Sequence, residues 1–329
     1  MNFDVVIIGG GPVGIFSIFA CGMQKLSCAI VDSMDKLGGQ CAKIYPEKAI
    51  YDIPGFKKIT GKGLVDNLLE QAEPFKYKSY LNSNVLDIKK EDGVFKVKLA
   101  DESIITGKSV IIAAGAGIFE PNRPDLEHIL SLEGKSVLYF IDNFEIFKNK
   151  KVMVAGGGDS ALDWVINIAP YAEKLFLVHR RDSFKAQPSI VDEMNALPNL
   201  EKIIPFTLGE LHQENFELKS VTLKDMKGNI RKEEVDFLLP CYGLKNNLRF
   251  LESWGLELES GKVVVDPTTM QTSIKGIYAI GDCVAYNNKR KLILTGFSEA
   301  SQAALDIFSY VFPDKAPLVG HSTTLGVPS

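Results

Sequence analysis

Val5-Val6-Ile7-Ile8-Gly9-Gly10-Gly11-Pro12-Val13-Gly14 is the stretch that decides how this chain folds. An apolar, β-branched run that ends in clustered glycines predicts a strand over 3–8 turning sharply into a helix over 15–23. A short second strand is expected over 28–31, and Asp32 ends it, 18 residues past Gly14. The spacing Gly9-x-Gly11-x-x-Gly14 suits a bound dinucleotide. Gly9 makes the tight turn, Gly11 lets the backbone reach the pyrophosphate, and Gly14 lets helix and strand pack closely. The helix N-terminus supplies amides and partial positive charge, and Asp32 is placed to hold a ribose hydroxyl pair.

The pattern returns 147 residues later. A strand is expected over 151–155, a turn at Gly156-Gly157-Gly158, a helix over 160–169 and a strand over 174–178. The fingerprint here is Gly156-x-Gly158-x-x-Ala161, and the acid is replaced by His179-Arg180-Arg181. A carboxylate would repel a 2′-phosphate, whereas two guanidiniums bind it through charge-assisted hydrogen bonds. The second site therefore reads as NADP(H). An acid at the first site suits an adenosine without a 2′-phosphate, hence NAD or FAD. Tyr278-Ala279-Ile280-Gly281-Asp282 decides between them, together with Gly38-Gly39-Gln40. It is a strand ending in the kind of aspartate that two-dinucleotide flavoproteins set against the ribityl chain, so the first site reads as FAD.

These units predict an α/β fold with two Rossmann-like dinucleotide-binding domains, the NADP domain inserted into a discontinuous FAD domain. The FAD domain is expected over 1–115 and 244–329, the NADP domain over 118–242. Strands over 218–224 and 235–240 are expected to form a meander about Lys227-Gly228-Asn229, and a late helix is expected over 298–312.

With 329 residues, 46% of them hydrophobic and 24% charged, the chain suits two soluble domains of ordinary size. A net charge of −4 gives no reason to expect nucleic acid or an anionic membrane as partner. No apolar run reaches the length of a membrane span and no leader is evident, so a cytoplasmic location is expected. The cysteines, at 21, 28, 41, 241 and 283, form neither C-x-x-C nor C-x4-C, which argues against a disulfide framework or a local zinc site. Four histidines, at 128, 179, 212 and 321, offer no metal or Ser-His-Asp constellation.

Several segments together resemble the thioredoxin reductase relatives, above all the thioredoxin-reductase-like ferredoxin–NADP reductases. They are 9–14, Leu37-Gly38-Gly39-Gln40, Tyr45-Pro46-Glu47-Lys48, 156–164, His179-Arg180-Arg181-Asp182 and the tail His321-Ser322-Thr323-Thr324. The resemblance covers essentially the whole chain. It implies that Tyr45 stacks on one face of the isoalloxazine and His321 lies over the other, the two residues that would serve catalysis. It also implies that Asp32, Gln40, Val85, Phe119, Asp282 and Thr323 contact FAD, and that the protein is a homodimer. Thioredoxin reductases carry a C-x-x-C before the second fingerprint, but 136–144 here holds no cysteine. Lys185-Ala186-Gln187-Pro188 also departs from the Arg-Ala-His-Glu pattern of the relatives.

Without a dithiol, electrons are expected to leave from the flavin itself, to ferredoxin or flavodoxin. The alternatives are an NADPH oxidase, a disulfide reductase acting with a separate partner, and a non-enzymatic NADPH-binding sensor. An acidic carrier would need a local basic patch on this acidic chain, and two are visible: Lys57-Lys58 with Lys62, and Lys289-Arg290-Lys291.

Overall fold

The computed structural model describes residues 2–141 and 143–327; the side chains of 118–120, 244–247, 249 and 325 lie outside the described part. The chain divides into two compact units, Met1–Phe119 with Asn246–Ser329, and Glu120–Lys245.

The first unit opens with β1 (Asn2–Ile8), α1 (Pro12–Met23), β2 (Cys28–Val31) and the short α2 (Gly39–Lys43). It continues with α3 (Gly61–Ala72), β3 (Tyr77–Tyr80), β4 (Val85–Glu91), β5 (Val94–Leu99) and β6 (Ile104–Ile112). Strand β1 lies between β2 and β6 and runs parallel to both, with β3 parallel on the far side of β2. Val5, Val6 and Ile7 are fully buried, which is why the strand reads as an unbroken apolar run and does not alternate. Pro12 takes the first turn of α1, where a missing N–H costs nothing.

The second unit runs β7 (Lys151–Ala155), α4 (Asp159–Ile168), β8 (Lys174–Val178) and β9 (Leu200–Ile203). Then come β10 (Thr207–Glu214), β11 (Glu217–Lys224), β12 (Ile230–Glu234) and β13 (Phe237–Pro240). The parallel sheet has the order β9-β8-β7-β13. Its two faces separate by residue parity. Val152, Val154, Leu175, Leu177 and Leu239 face Leu162, Val165 and Ile168 of α4. Met153, Ala155, Phe176, Val178 and Leu238 face Leu211, Leu218, Val221 and Leu223 of the antiparallel sheet β10-β11-β12.

That arrangement corrects the expected meander. The turn at 227–229 joins β11 to β12, whereas Phe237–Pro240 pairs in parallel with β7. The run Leu238-Leu239-Pro240 is buried, as a strand of a parallel sheet covered on both faces must be, and would be wasted in a half-exposed hairpin.

Returning to the first unit, β14 (Ile277–Ala279) lies parallel to the second half of β6, and α5 (Ile293–Val311) packs on α1. Helix α5 begins five residues before the expected 298. Gly296 sits inside it at the close approach to α1, where a Cβ would lie 2.4 Å from Cγ2 of Val13. No helix among the described residues is long and apolar enough to cross a membrane.

Gly14 sets the contact of α1 with β1: a Cβ at this position would stand 1.9 Å from the Gly9 carbonyl oxygen. Gly14→Ala must lift the helix from the strand. Urea denaturation of the flavin-free protein is expected to show a loss of about 1–3 kcal/mol, the usual cost of overpacking. An unchanged midpoint would mean that the turn can relax.

Candidate functional site

In the first unit the turn between β1 and α1 is closed by the Gly9 amide, which donates to the Val31 carbonyl at 2.8 Å. Gly9 has φ +106°, a left-handed conformation that favours glycine, and a Cβ there would strike the Ala113 carbonyl. Below the turn, Asp32 accepts from the amides of Gly10 at 2.5 Å and Met34 at 2.8 Å. Burial pushes its pKa up and these two amides oppose that. Each carboxylate oxygen keeps a lone pair free for a ribose hydroxyl. Gly11, the N-cap of α1, has no side-chain cap, and a Cβ on it would meet nothing within 4 Å. An uncapped helix start facing open space, with an acid one strand away, fits the pyrophosphate and ribose of FAD.

The Gly38 amide donates to the Gly10 carbonyl at 2.7 Å, so the segment carrying Gln40 and Tyr45 closes on the same turn. The Tyr45 amide bonds to the Gln40 carbonyl, and the Cys41 thiol donates to the Tyr45 hydroxyl at 3.9 Å. Burial raises the Tyr45 pKa, and Cys41 and the carboxylate of Asp282 raise it further. Gly281, next to Asp282, faces Val13 of the fingerprint: a Cβ built on it would lie 3.8 Å from both Val13 methyl carbons. The Ser83 amide donates to the Asp32 carbonyl, which brings Val85, at the head of β4, beside the same site. The structure therefore gathers Gly9, Gly11, Gly14, Asp32, Gln40, Tyr45, Val85 and Asp282. The side chain of Phe119 lies outside the described residues.

His321 and Thr323 are exposed on a tail that goes elsewhere. Gln24, the C-cap of α1, exchanges two hydrogen bonds of 3.0 Å with the backbone of Leu318. The tail is thereby tied to the end of α1 opposite Gly11, about 18 Å away for a helix of this length.

The second unit repeats the turn with different chemistry. The Gly156 amide donates to the Val178 carbonyl at 3.0 Å, as Gly9 does to Val31, so His179 takes the place of Asp32. A Cβ on Gly157 would lie 2.3 Å from the His179 ring, which therefore sits directly beneath the turn. Burial lowers the His179 pKa, and Arg181 and Arg180 lower it further, leaving a neutral ring whose Nε2 is buried without a partner. Ala161 is buried in the position of the third glycine, and Gly158 caps α4, where a Cβ would lie 3.8 Å from the Lys185 carbonyl oxygen. The segment that departs from its relatives is fixed here: the Lys185 amide donates to the Gly157 carbonyl, and the Gln187 amide to Asp159.

Arg180 and Arg181 are exposed, and among the described residues neither pairs with a carboxylate. They line an open cavity of about 480 Å³ with Pro205, Thr207, Lys224, Asp225 and Met226. Sequence reading missed Thr207, Lys224 and Met226, because strand pairing alone brings them to the arginines and no local signal marks them.

Four of the five cysteines are buried and all are free. Burial holds the thiols of Cys41 and Cys283 up at about 11 and that of Cys241 at about 12, so none of these three is a ready thiolate. No group of three His, Cys, Asp or Glu among the described residues could hold a metal.

Two Rossmann units with opposite charge at the ribose position define an oxidoreductase that binds FAD and NADP(H). Residues 3–304 match the pyridine nucleotide-disulphide oxidoreductase family, and the chain belongs to it. Proteins called ferredoxin–NADP reductase from Rickettsia canadensis and Rickettsia felis are each 45% identical to it, over 98% of this chain and 97% of theirs. Among solved structures, thioredoxin reductase from T. acidophilum is similar with TM-score 0.75 and 26% identity, covering 94% of this chain and 98% of that one. The thioredoxin reductase of Lactococcus lactis gives TM-score 0.74 and 25% identity, covering 94% and 99%.

Gly11→Ala separates cofactor binding from folding. Its φ of −71° and ψ of 179° suit alanine, so the flavin-free protein should keep its stability within about 1 kcal/mol. The methyl group would occupy the space the pyrophosphate needs, and fluorescence titration should show FAD affinity reduced about tenfold or more. Undiminished affinity would place the phosphates elsewhere.

Proposed function

We propose that this protein is a ferredoxin–NADP reductase, passing electrons from NADPH through FAD to ferredoxin or flavodoxin, or in the reverse direction. Bound FAD accepts a hydride from the nicotinamide and returns its electrons one at a time. The observation that carries the reading is Cys41, the thiol beside Tyr45: it is buried, single and held protonated. No second cysteine bonds to Cys41, and the neighbouring thiols Cys21 and Cys28 are both buried, with Cys28 held protonated by Cys21 and by burial, which supports an acceptor other than a disulfide. The name shared by relatives 45% identical over nearly the whole chain supports the same acceptor.

In this reading the FAD-binding domain is built from 1–115 and 244–329, the NADP-binding domain from 118–242. Gly9, Gly11, Gly14 and Asp32 hold the adenosine diphosphate half of FAD, and Gln40, Val85 and Asp282 the flavin half. Tyr45 packs on the isoalloxazine and keeps water from one face. Gly156, Gly158 and Ala161 shape the NADP turn over the neutral ring of His179, and Arg180 and Arg181 bind the 2′-phosphate. The tie of the tail to the far end of α1 supports a homodimer in which His321 and Thr323 reach the flavin of a second copy. Free, buried thiols suit a reducing cytoplasm.

For the acceptor, one of the two basic runs loses its centre. The Lys289 side chain is only 6% exposed and pairs with Glu299, so Arg290 and Lys291 alone remain at the surface. In the other run Lys62 pairs with Asp66 at 2.5 Å, leaving Lys57 and Lys58.

Arg180→Ala should lower kcat/KM for NADPH about 10- to 100-fold, mainly through KM, and leave NADH little changed. Equal losses for both nucleotides would exclude the pair as the phosphate site. NADPH oxidation assayed against ferredoxins, flavodoxins and thioredoxins should show turnover with the one-electron carriers; turnover with thioredoxin alone would overturn the reading. With ferredoxin, Arg290→Glu with Lys291→Glu should slow reduction several-fold at low salt, a gap that narrows as ionic strength rises. A small neutral acceptor should be reduced at the original rate.

A further inference from the structure

Behind the Gly281-Asp282 turn lies a buried acid on α5. Glu299 is 2% exposed and its carboxylate is shared by three donors. The Gly281 amide donates to one oxygen at 2.7 Å, the Tyr286 hydroxyl donates to the other at 2.5 Å, and the Lys289 ammonium pairs with that second oxygen. Burial and the Glu299 carboxylate together raise the Tyr286 pKa, so the phenol stays a donor. Lys289 lies 5.5 Å from the centre of the Tyr286 ring, and its amide donates to the Tyr286 carbonyl. One carboxylate thus holds both the start and the middle of the loop that leaves β14.

A buried ion pair is a poor way to gain stability, since apolar side chains of similar volume do as well or better. What the pair does here is fix one peptide. Gly281 has φ +79°, and a Cβ built on it would lie 3.8 Å from the Val13 methyl carbons of the first fingerprint. Its N–H is aimed back into the core at Glu299, and the next residue, Asp282, is half-buried, its carboxylate among the charges that raise the Tyr45 pKa. Removing the acceptor frees the peptide to rotate and Asp282 to turn with it.

We propose that Glu299 is a positioning residue for the flavin: through the Gly281 amide it sets the direction of Asp282, and Lys289 neutralises the charge this requires. The proposal rests on the reading of Asp282 as a ligand of the ribityl chain. A glutamine at 299 offers one acceptor oxygen to three donors, turns an N–H2 toward one of them and leaves Lys289 charged and unpaired. Lys289→Met alone leaves the opposite charge buried. Glu299→Gln combined with Lys289→Met removes both charges and isolates the lost aim of the turn from the cost of a buried ion.

The test is a double-mutant cycle on the holoenzyme between Glu299→Gln and Asp282→Asn, read by the rate of FAD release on dilution, the visible flavin spectrum and the flavin midpoint potential. Each single variant is expected to release FAD about tenfold faster and to shift the spectrum and potential in the same direction. The double variant should be little worse than Asp282→Asn alone. If Glu299→Gln does not fold, the charge-free pair Glu299→Gln/Lys289→Met takes its place in the cycle. Additive effects, or an unaltered spectrum and potential in Glu299→Gln, would show a merely structural role and overturn the proposal. An Asp282→Asn variant with normal FAD release, spectrum and potential would instead remove the ribityl reading, and the proposal with it.

Discussion

The close approach of helix and strand at the first glycine turn is the constraint on which the rest of the structure depends. Gly14 faces the Gly9 carbonyl with no room for a methyl group, and this contact directs the start of α1 at open space and leaves it uncapped. A capping side chain would satisfy those amides; their freedom makes them a phosphate site. Other elements converge on the same point. Gly38 bonds to Gly10, the loop after β14 lies against Val13, and α5 carries a glycine at 296 so that it too can reach Val13.

The second turn shows how much of this geometry is general and how much is chemistry. The same backbone bond recurs, and Ala161 is accommodated where the first turn needs glycine. What changes is the residue beneath the turn. In the proposed function the carboxylate held by two amides serves an unphosphorylated ribose, and the imidazole with two exposed guanidiniums beside it a phosphorylated one. The burial that keeps His179 neutral also confines positive charge to the tips of the arginines, on the side of the open cavity.

Charge runs deserve more caution than glycine runs. Lys289-Arg290-Lys291 reads as a solvated basic patch, yet its first member turns inward to pair with Glu299, ten residues along the chain. The energetic logic is asymmetric: an unpaired buried acid costs more than a lysine withdrawn from the surface. The surface available to an acidic partner is therefore smaller than the lysine count suggests.

Both βαβ units and the two cofactors were legible in the sequence. Glycine spacing, apolar period and the residue ending the second strand are local features, and local sterics act on them in any fold. The tertiary structure alone decided that Phe237–Pro240 joins the parallel sheet and not the meander, that Gly296 lies within a helix, and that Thr207, Lys224 and Met226 share a cavity with Arg180 and Arg181. It alone tied Leu318 to Gln24 and aimed Gly281 at Glu299. Each of these depends on which buried faces meet across long separations in sequence, and packing settles that for the whole chain at once.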